Sequence, residues 1–150
     1  MSGTCQVMAS KILNYLLTGG AAALPGSVYI GLSTAIPVVA GAVGSQATTE
    51  PTIGTGGYAR VQIAQNTTVW STAAAGQITN GTASISFPQS TAAWSTGATA
   101  LTYAFLIDAA SGGGTLGVIA FAPLTPATDA VNATGITITI PISNLTFTLA

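Results

Sequence analysis

The sequence predicts a mainly β protein: an antiparallel β-sandwich of jelly-roll or immunoglobulin-like strand order, with one helix near the N-terminus. Two observations lead to this prediction. About eight short runs with strand-like alternation or β-branched residues follow one another, separated by Gly, Pro and Asn turn residues. Only one segment shows helical spacing. The 150 residues are expected to form a single domain, because a chain of this length supports one hydrophobic core.

The predicted helix spans residues 8–18. Its apolar side chains recur at helical spacing, and two glycines follow it as a stop signal. Residues 1–7 precede it as a predicted leader arm. Periodicity does not tell whether the apolar stripe packs on its own domain or docks on a neighbour, so both interpretations stay open. In the second interpretation, Ile12, Leu16 and Leu17 are the predicted contacts.

The predicted sandwich spans residues 27–149 and opens with Val28, Ile30 and Leu32 alternating onto one face. Further along, Asn80-Gly81 is a dipeptide typical of tight hairpin turns. The other strand-like segments are residues 58–64, 67–72, 77–79, 83–87, 99–109, 115–122, 135–142 and 144–149.

A long loop is predicted over residues 35–57, which lack periodicity and are rich in Gly, Ala, Thr and Pro. Long loops in compact domains are usually binding surfaces or extended arms. Ile36, Val38, Val39 and Val43 are therefore predicted to be assembly contacts.

Charge is the most unusual feature of the composition. Charged residues make up 3% of the chain and the net charge is −1, whereas about 25% charged residues is usual. A surface without charge repels its copies weakly. An edge strand such as the ITITI run of residues 136–140 also lacks charged gatekeepers. The sequence therefore predicts a protein that is covered by copies of itself or by a larger assembly.

The same composition excludes several functions. The chain has no histidine, so it has no imidazole base and no His-ligated metal. Two Lys/Arg residues cannot neutralise a run of phosphates, which excludes nucleic acid as a partner. One cysteine, Cys5, forms no internal disulfide and has no neighbour that would activate it. No apolar run reaches the ~18 residues of a membrane helix, and no cofactor is predicted.

Catalysis by paired carboxylates is also disfavoured. Asp108 and Asp129 are the only aspartates, and both follow strand or loop positions where Asp usually bonds the local backbone. The supporting polar residues of a glycosidase are missing. The chain is therefore predicted not to be an enzyme. Glu50 and Arg60, the other acidic and basic residues of the central region, are expected to pair and order the long loop.

Aromatic residues offer one alternative. Trp70, Trp94 and Tyr58 lie in or beside predicted loops, where exposed rings would form a platform for a sugar. The competing interpretation, in which both tryptophans plug the ends of the core, is preferred. A carbohydrate-binding module stays open as a second hypothesis.

Eight phrases of the sequence, taken in order, are distinctive: LPGSVYIGLSTA at 24–35, TTEP at 48–51, GGYARV at 56–61, ITNG at 78–81, ISFPQ at 85–89, AWST at 93–96, IDAASGGGTLG at 107–117 and APLTP at 122–126. Together they resemble a family of small virion structural proteins of tailed bacteriophages, labelled tail-fibre-like, minor structural or capsid-associated. The resemblance covers about residues 8–149, and its most specific parts are GGYAR and the IDAASGGGTLG hairpin.

This resemblance implies a non-enzymatic β-sandwich used as a building block of the virion and made in the bacterial host cytoplasm. Capsid decoration or cementing is the first expectation. A tail, collar, baseplate or fibre component, with contact to a host glycan, is the alternative. The expected partners are the protein itself, as a homo-oligomer, and other virion proteins. A secreted, pilus-like subunit is a third hypothesis, although the N-terminal apolar run is short for a signal peptide.

Overall fold

The structure, a computed structural model, describes residues 3–4, 10, 16–18, 25–37, 49–114 and 116–148. Nine strands are found there: β1 Gly3–Thr4, β2 Val28–Ser33, β3 Val61–Ile63, β4 Gln77–Thr79, β5 Ile85–Ser86, β6 Leu101–Ile107, β7 Val118–Thr128, β8 Thr139–Ile140 and β9 Thr146–Thr148. Ser10 and residues 16–18 are helical, and Thr55–Gly57 form a short 3-10 turn. The predicted class, a mainly β fold of antiparallel strands with a helix near the N-terminus, is confirmed.

Five strands form one sheet in the order β1-β7-β6-β2-β3, with every neighbouring pair antiparallel. The alternation expected from the sequence decides which side chains face the core. Ile30 lies opposite Leu106, and Leu32 lies opposite Ala104, so these positions share one face of the sheet. Phe105 points to the other face, where its ring covers Gly31 so closely that a Cβ there would overlap it.

Two short ribbons form the second layer: β4 pairs with β9, and β5 pairs with β8. Their inward side chains meet the five-stranded sheet in one buried cluster, which makes the arrangement a sandwich. The buried members are Ile30, Leu32, Tyr58, Ile63, Trp70, Ile85, Phe87, Trp94, Leu101, Ala104, Ala120, Ala122, Leu124, Val131, Ile138, Ile140, Leu145 and Phe147.

The outer face of the second layer is made of hydroxyl groups. Ser86 and Thr139 share a hydrogen bond across the β5–β8 pair at 3.0 Å, and Thr79 and Thr146 share one across β4–β9 at 2.8 Å. Cross-strand hydroxyl pairs of this kind stabilise a sheet without any charge. They explain how so few charged residues suffice for the surface.

Asn80 connects the two ribbons at the predicted Asn80-Gly81 turn. Its buried side chain accepts a hydrogen bond from the Leu145 N–H at 2.9 Å and donates to the carbonyls of Pro141 at 2.8 Å and Ala83 at 3.3 Å. The Pro141 carbonyl also accepts a hydrogen bond from the Asn144 N–H at 3.2 Å, so the buried Leu145 N–H is the group that depends most on Asn80. The asparagine therefore fixes the path of three chain segments at once.

One predicted strand is wrong. Residues 67–72 form turns rather than a strand, because Asn66 caps them. Its side-chain oxygen accepts a hydrogen bond from the Thr68 N–H at 2.9 Å, and its carbonyl accepts one from the Trp70 N–H at 3.4 Å. Side chains of this type offer the backbone an alternative to a sheet ladder.

Candidate functional site

A buried ion pair lies where the predicted long loop ends. Glu50 and Arg60 meet through two parallel hydrogen bonds, Nε to Oε1 at 2.8 Å and Nη2 to Oε2 at 2.7 Å, and both side chains are fully buried. This bidentate geometry is the one that arginine forms best with a carboxylate. The pair expected from the sequence is therefore present.

The remaining donors of Arg60 hold the hairpin between β6 and β7. Its Nη1 donates to the carbonyls of Ala109 at 2.7 Å and Gly112 at 2.9 Å, and the guanidinium lies 5.7 Å from the ring centre of Phe105. The arginine is thus occupied on all three nitrogens. It fastens the end of the loop to the hairpin, and its side chain is fully buried.

Tyr58 completes this cluster. Its hydroxyl donates to Glu50 Oε1 at 2.9 Å and accepts a hydrogen bond from the Leu32 N–H at 3.0 Å. Burial, and next the negative charge of Glu50, raise the pKa of the Tyr58 hydroxyl well above its usual value. We call Glu50, Tyr58 and Arg60 the clamp, because they join the loop end, strand β2 and the hairpin.

The glycan platform that the sequence left open as an alternative is not formed by Tyr58 and Trp94. Tyr58 and Trp94 are buried, with ring centres 4.8 Å apart in an edge arrangement. The indole N–H of Trp94 donates to the carbonyl of Gly56 at 3.2 Å. A ring enclosed by the core has no face on which a sugar can stack, so these two residues are core residues. Trp70 is also buried, but it lies at the wall of a groove.

The two aspartates lie in different environments. Asp108 Oδ2 accepts a hydrogen bond from the Leu116 N–H at 2.9 Å and so closes the hairpin after β6. Asp129 is exposed in the loop after β7. Among the residues that the structure describes, no group of three or more His, Cys, Asp or Glu side chains is placed to hold a metal ion. In the same part of the chain, no helix is long and apolar enough to cross a membrane.

The groove opens at the side of the sandwich, between the five-stranded sheet and the second layer, with a volume of about 450 Å³. Val28, Ile63 and Leu106 come from the sheet, whereas Ile78 and Trp70 come from the facing layer. Trp70 is held by an edge contact with Phe147, with ring centres 5.9 Å apart. The rest of the lining is uncharged: Gln65, Asn66, Thr67, Ser71, Thr72 and Ala73.

Four large apolar side chains of the described residues are exposed. Leu16 is 67% and Leu17 80% exposed on the helical residues near the N-terminus, and Ile36 is 48% exposed after β2. All three are among the predicted assembly contacts. The fourth, Ile142 at 50%, was missed because its run reads as a continuous strand, whereas the chain turns after it at Ser143, where φ is 67°.

The remaining predicted contacts lie outside the part of the chain that the structure describes. Ile12, Val38, Val39 and Val43 lie outside the described residues, as do Cys5 and most of the predicted leader and helix. The groove was not predicted from the sequence, because its lining comes from segments far apart in the chain. Trp70 is the one lining residue that the sequence singled out.

Comparison with known proteins agrees with the resemblance that the sequence phrases suggested. The model of the family described as Podophage GP4 fiber I protein gp80 matches residues 3–148, which is nearly the whole chain. A search of curated proteins finds no match. The family favours a fibre or tail role over capsid decoration, which is not confirmed. The chain therefore belongs to this family of podophage fibre proteins and is a virion structural protein of a phage.

Proposed function

We propose that this chain is a non-enzymatic subunit of a fibre on the podophage virion, where it packs against copies of itself and other virion proteins. The family match over residues 3–148 is the observation that carries the proposal. It supports the tail or fibre alternative from the sequence analysis rather than decoration or cementing of the capsid.

The use of the polar side chains supports a structural role. In the clamp, the side chains of Glu50, Tyr58 and Arg60 form hydrogen bonds within the fold. Asp108 accepts a hydrogen bond from the backbone of its own hairpin. A catalytic site needs polar groups that converge on a cavity. The groove instead has an apolar floor, and none of the described residues that line it is charged.

The partners proposed are proteins. Two Lys/Arg residues in the whole chain, with Arg60 buried in an ion pair, give no basic surface for nucleic acid. A host glycan is not favoured by the aromatic residues, because Tyr58 and Trp94 are enclosed. An apolar, uncharged surface is instead typical of contacts that stay covered in an assembly.

Immunogold electron microscopy of intact virions tests the proposed location. Antibody raised against the purified chain is expected to label fibres or the tail, while antibody against the major capsid protein, as the control, labels the head. Labelling spread over the head would overturn the fibre proposal and restore capsid decoration. Virions that carry no label and no peptide of the chain by mass spectrometry would overturn a virion role.

A further inference from the structure

Two apolar features have no counterpart among the residues that the structure describes. Leu16 and Leu17 are consecutive residues that are 67% and 80% exposed. The groove walled by Trp70 is open at the side of the sandwich, and neither leucine is part of its lining. We call Leu16 and Leu17 the knob. The knob is apolar surface whose exposure to water is unfavourable, and the groove is an apolar concavity of about 450 Å³.

Charge does not oppose contact between the two features. Among the described residues, those that line the groove carry no charge, and the chain as a whole carries a net charge of −1. Of the described charged residues, Glu50 and Arg60 neutralise each other inside the fold. Copies of the chain therefore approach each other with little repulsion, and apolar contact decides how they bind.

The groove also lies beside an edge of the sheet. Among the described strands, β3 is the last in the order β1-β7-β6-β2-β3, and its Ile63 lines the groove. The exposed residue of β3 is Gln62, which is uncharged. Edge strands are usually protected by charged side chains, by Pro or by a covering element. An edge with an apolar groove beside it is a surface that a neighbouring element covers.

We propose that the knob of one copy inserts into the groove of a second copy. This inference rests on the proposed function and deepens it, since it names the surfaces by which fibre subunits join. Knob and groove are different surfaces of one molecule, so the contact is heterologous. A heterologous contact repeats from copy to copy and produces either a closed ring or an open filament.

The first test is the solution mass of the purified chain by light scattering over a concentration series. The wild type is expected to form oligomers whose mass grows with concentration until a ring closes or a filament forms. Leu17→Asp is expected to stay monomeric, because the contact would bury an unpaired carboxylate. Ile142→Asp is the matched control: it adds the same charge at a similarly exposed isoleucine and is expected to associate like the wild type. A wild type that remains monomeric throughout overturns the proposal.

The second test separates a heterologous contact from a symmetric one. Ala73 is an exposed residue of the groove lining, and Ala73→Trp is expected to fill the groove while leaving the knob intact. Each variant alone, Leu17→Asp or Ala73→Trp, should be monomeric. Mixed in equal amounts, the intact groove of the first and the intact knob of the second should form a complex of two chains that grows no further. A mixture that stays monomeric overturns the proposal, as does Ala73→Trp that still associates alone.

Circular dichroism and thermal unfolding confirm that each variant is folded. If Ala73→Trp fails to fold, Thr67→Trp fills the groove from another exposed lining residue and gives the same readings. The outcomes are separate from those of virion labelling. Fibre labelling with no knob-in-groove complex overturns this contact alone, with another virion protein then occupying the groove. A complex in solution without fibre labelling overturns the proposed location alone.

Discussion

The clamp and the groove show opposite uses of side chains in one small protein. At the clamp, Arg60 uses all its nitrogens and Tyr58 both donates and accepts, so each polar group has a partner inside the chain. Leu16 and Leu17 of the knob are instead largely exposed, and the groove leaves an apolar concavity open between the two layers. The few strongly polar groups thus fix the fold, while apolar surface is left for neighbours.

The largest effect is expected from breaking the clamp. Arg60→Ala leaves Glu50 buried without its counter-charge and releases the carbonyls of Ala109 and Gly112. Removing one partner of a buried pair costs about 3–5 kcal/mol. Urea unfolding of the variant should show a loss of this size.

The double variant Glu50→Gln with Arg60→Met is the control for the clamp. It removes both charges. Its loss in free energy of unfolding should therefore be smaller, by about 1–3 kcal/mol, than the sum of the losses measured for Glu50→Gln alone and Arg60→Met alone. Strict additivity of the two substitutions would show that the pair does not act as a unit.

The next effect concerns Asn80, which fixes the second layer. Asn80→Ala removes the acceptor of the buried Leu145 N–H and one of two donors to the Pro141 carbonyl, which keeps the Asn144 N–H. A loss of about 2–3 kcal/mol is expected, because the buried Leu145 N–H is left unsatisfied. Asn132→Ala, at an exposed position, is the matched control and should change stability by less than about 0.5 kcal/mol. Equal effects of the two substitutions would contradict the role given to Asn80.

A smaller effect, and one that depends on pH, is expected at Tyr58. Tyr58→Phe removes the acceptor for the Leu32 N–H and the donor to Glu50, at a cost of about 1–2 kcal/mol at neutral pH. In the folded protein the pKa of Tyr58 is raised above 10.0, so the folded state holds this proton more tightly than the unfolded chain. The resulting stabilisation is complete below about pH 10 and is lost as pH rises through the raised folded pKa.

Urea unfolding of the wild type and Tyr58→Phe between pH 9 and 11 measures this difference. The wild type should lose stability more steeply with pH than the variant. Asn132→Ala, which removes no titratable group and lies at an exposed position, serves as the control and should keep the slope of the wild type. Identical slopes for wild type and Tyr58→Phe would show that Tyr58 does not titrate differently in the two states.

The smallest effect on folding is expected at the knob. Leu17→Asp changes a side chain that is 80% exposed, so the free energy of unfolding of the monomer should shift by less than about 0.5 kcal/mol. A loss comparable to that of Arg60→Ala would mean that the leucine belongs to the fold rather than to a contact surface. Differential scanning calorimetry at low concentration distinguishes these outcomes.

The sequence predicted those strands in which side chains alternate between a face in the core and a face that points away from it. Strands β2 and β6 lie where the pattern placed them, because a sheet with one face in the core imposes a period of two. Strand β7 begins within the predicted segment 115–122 but continues to Thr128, six residues beyond it. Residues 67–72 were misassigned because the bonds of Asn66 act locally and leave no trace in periodicity. The pairing of β4 with β9 was not predictable, since a pattern along one strand does not name its partner.

The site was predictable in part. Glu50 and Arg60 were identified because each is rare in this chain, and a rare buried charge needs a partner. Leu16, Leu17 and Ile36 were named as contacts, and their exposure is consistent with that role. The burial of Trp70 and Trp94 agrees with the preferred interpretation that tryptophans plug the core, whereas nothing in the sequence distinguished burial from exposure for Tyr58. The groove depends on residues brought together only by the fold.

The pairing of β1 with β7 has a consequence for synthesis of the chain. Gly3 lies opposite Phe121 and Thr4 opposite Ala120, so the first strand cannot join the sheet until the ribosome has made nearly all of the protein. Loops of this length close slowly compared with neighbouring hairpins. On a polysome, the β7 edge of one nascent chain is thus available to other chains before its own N-terminus covers it.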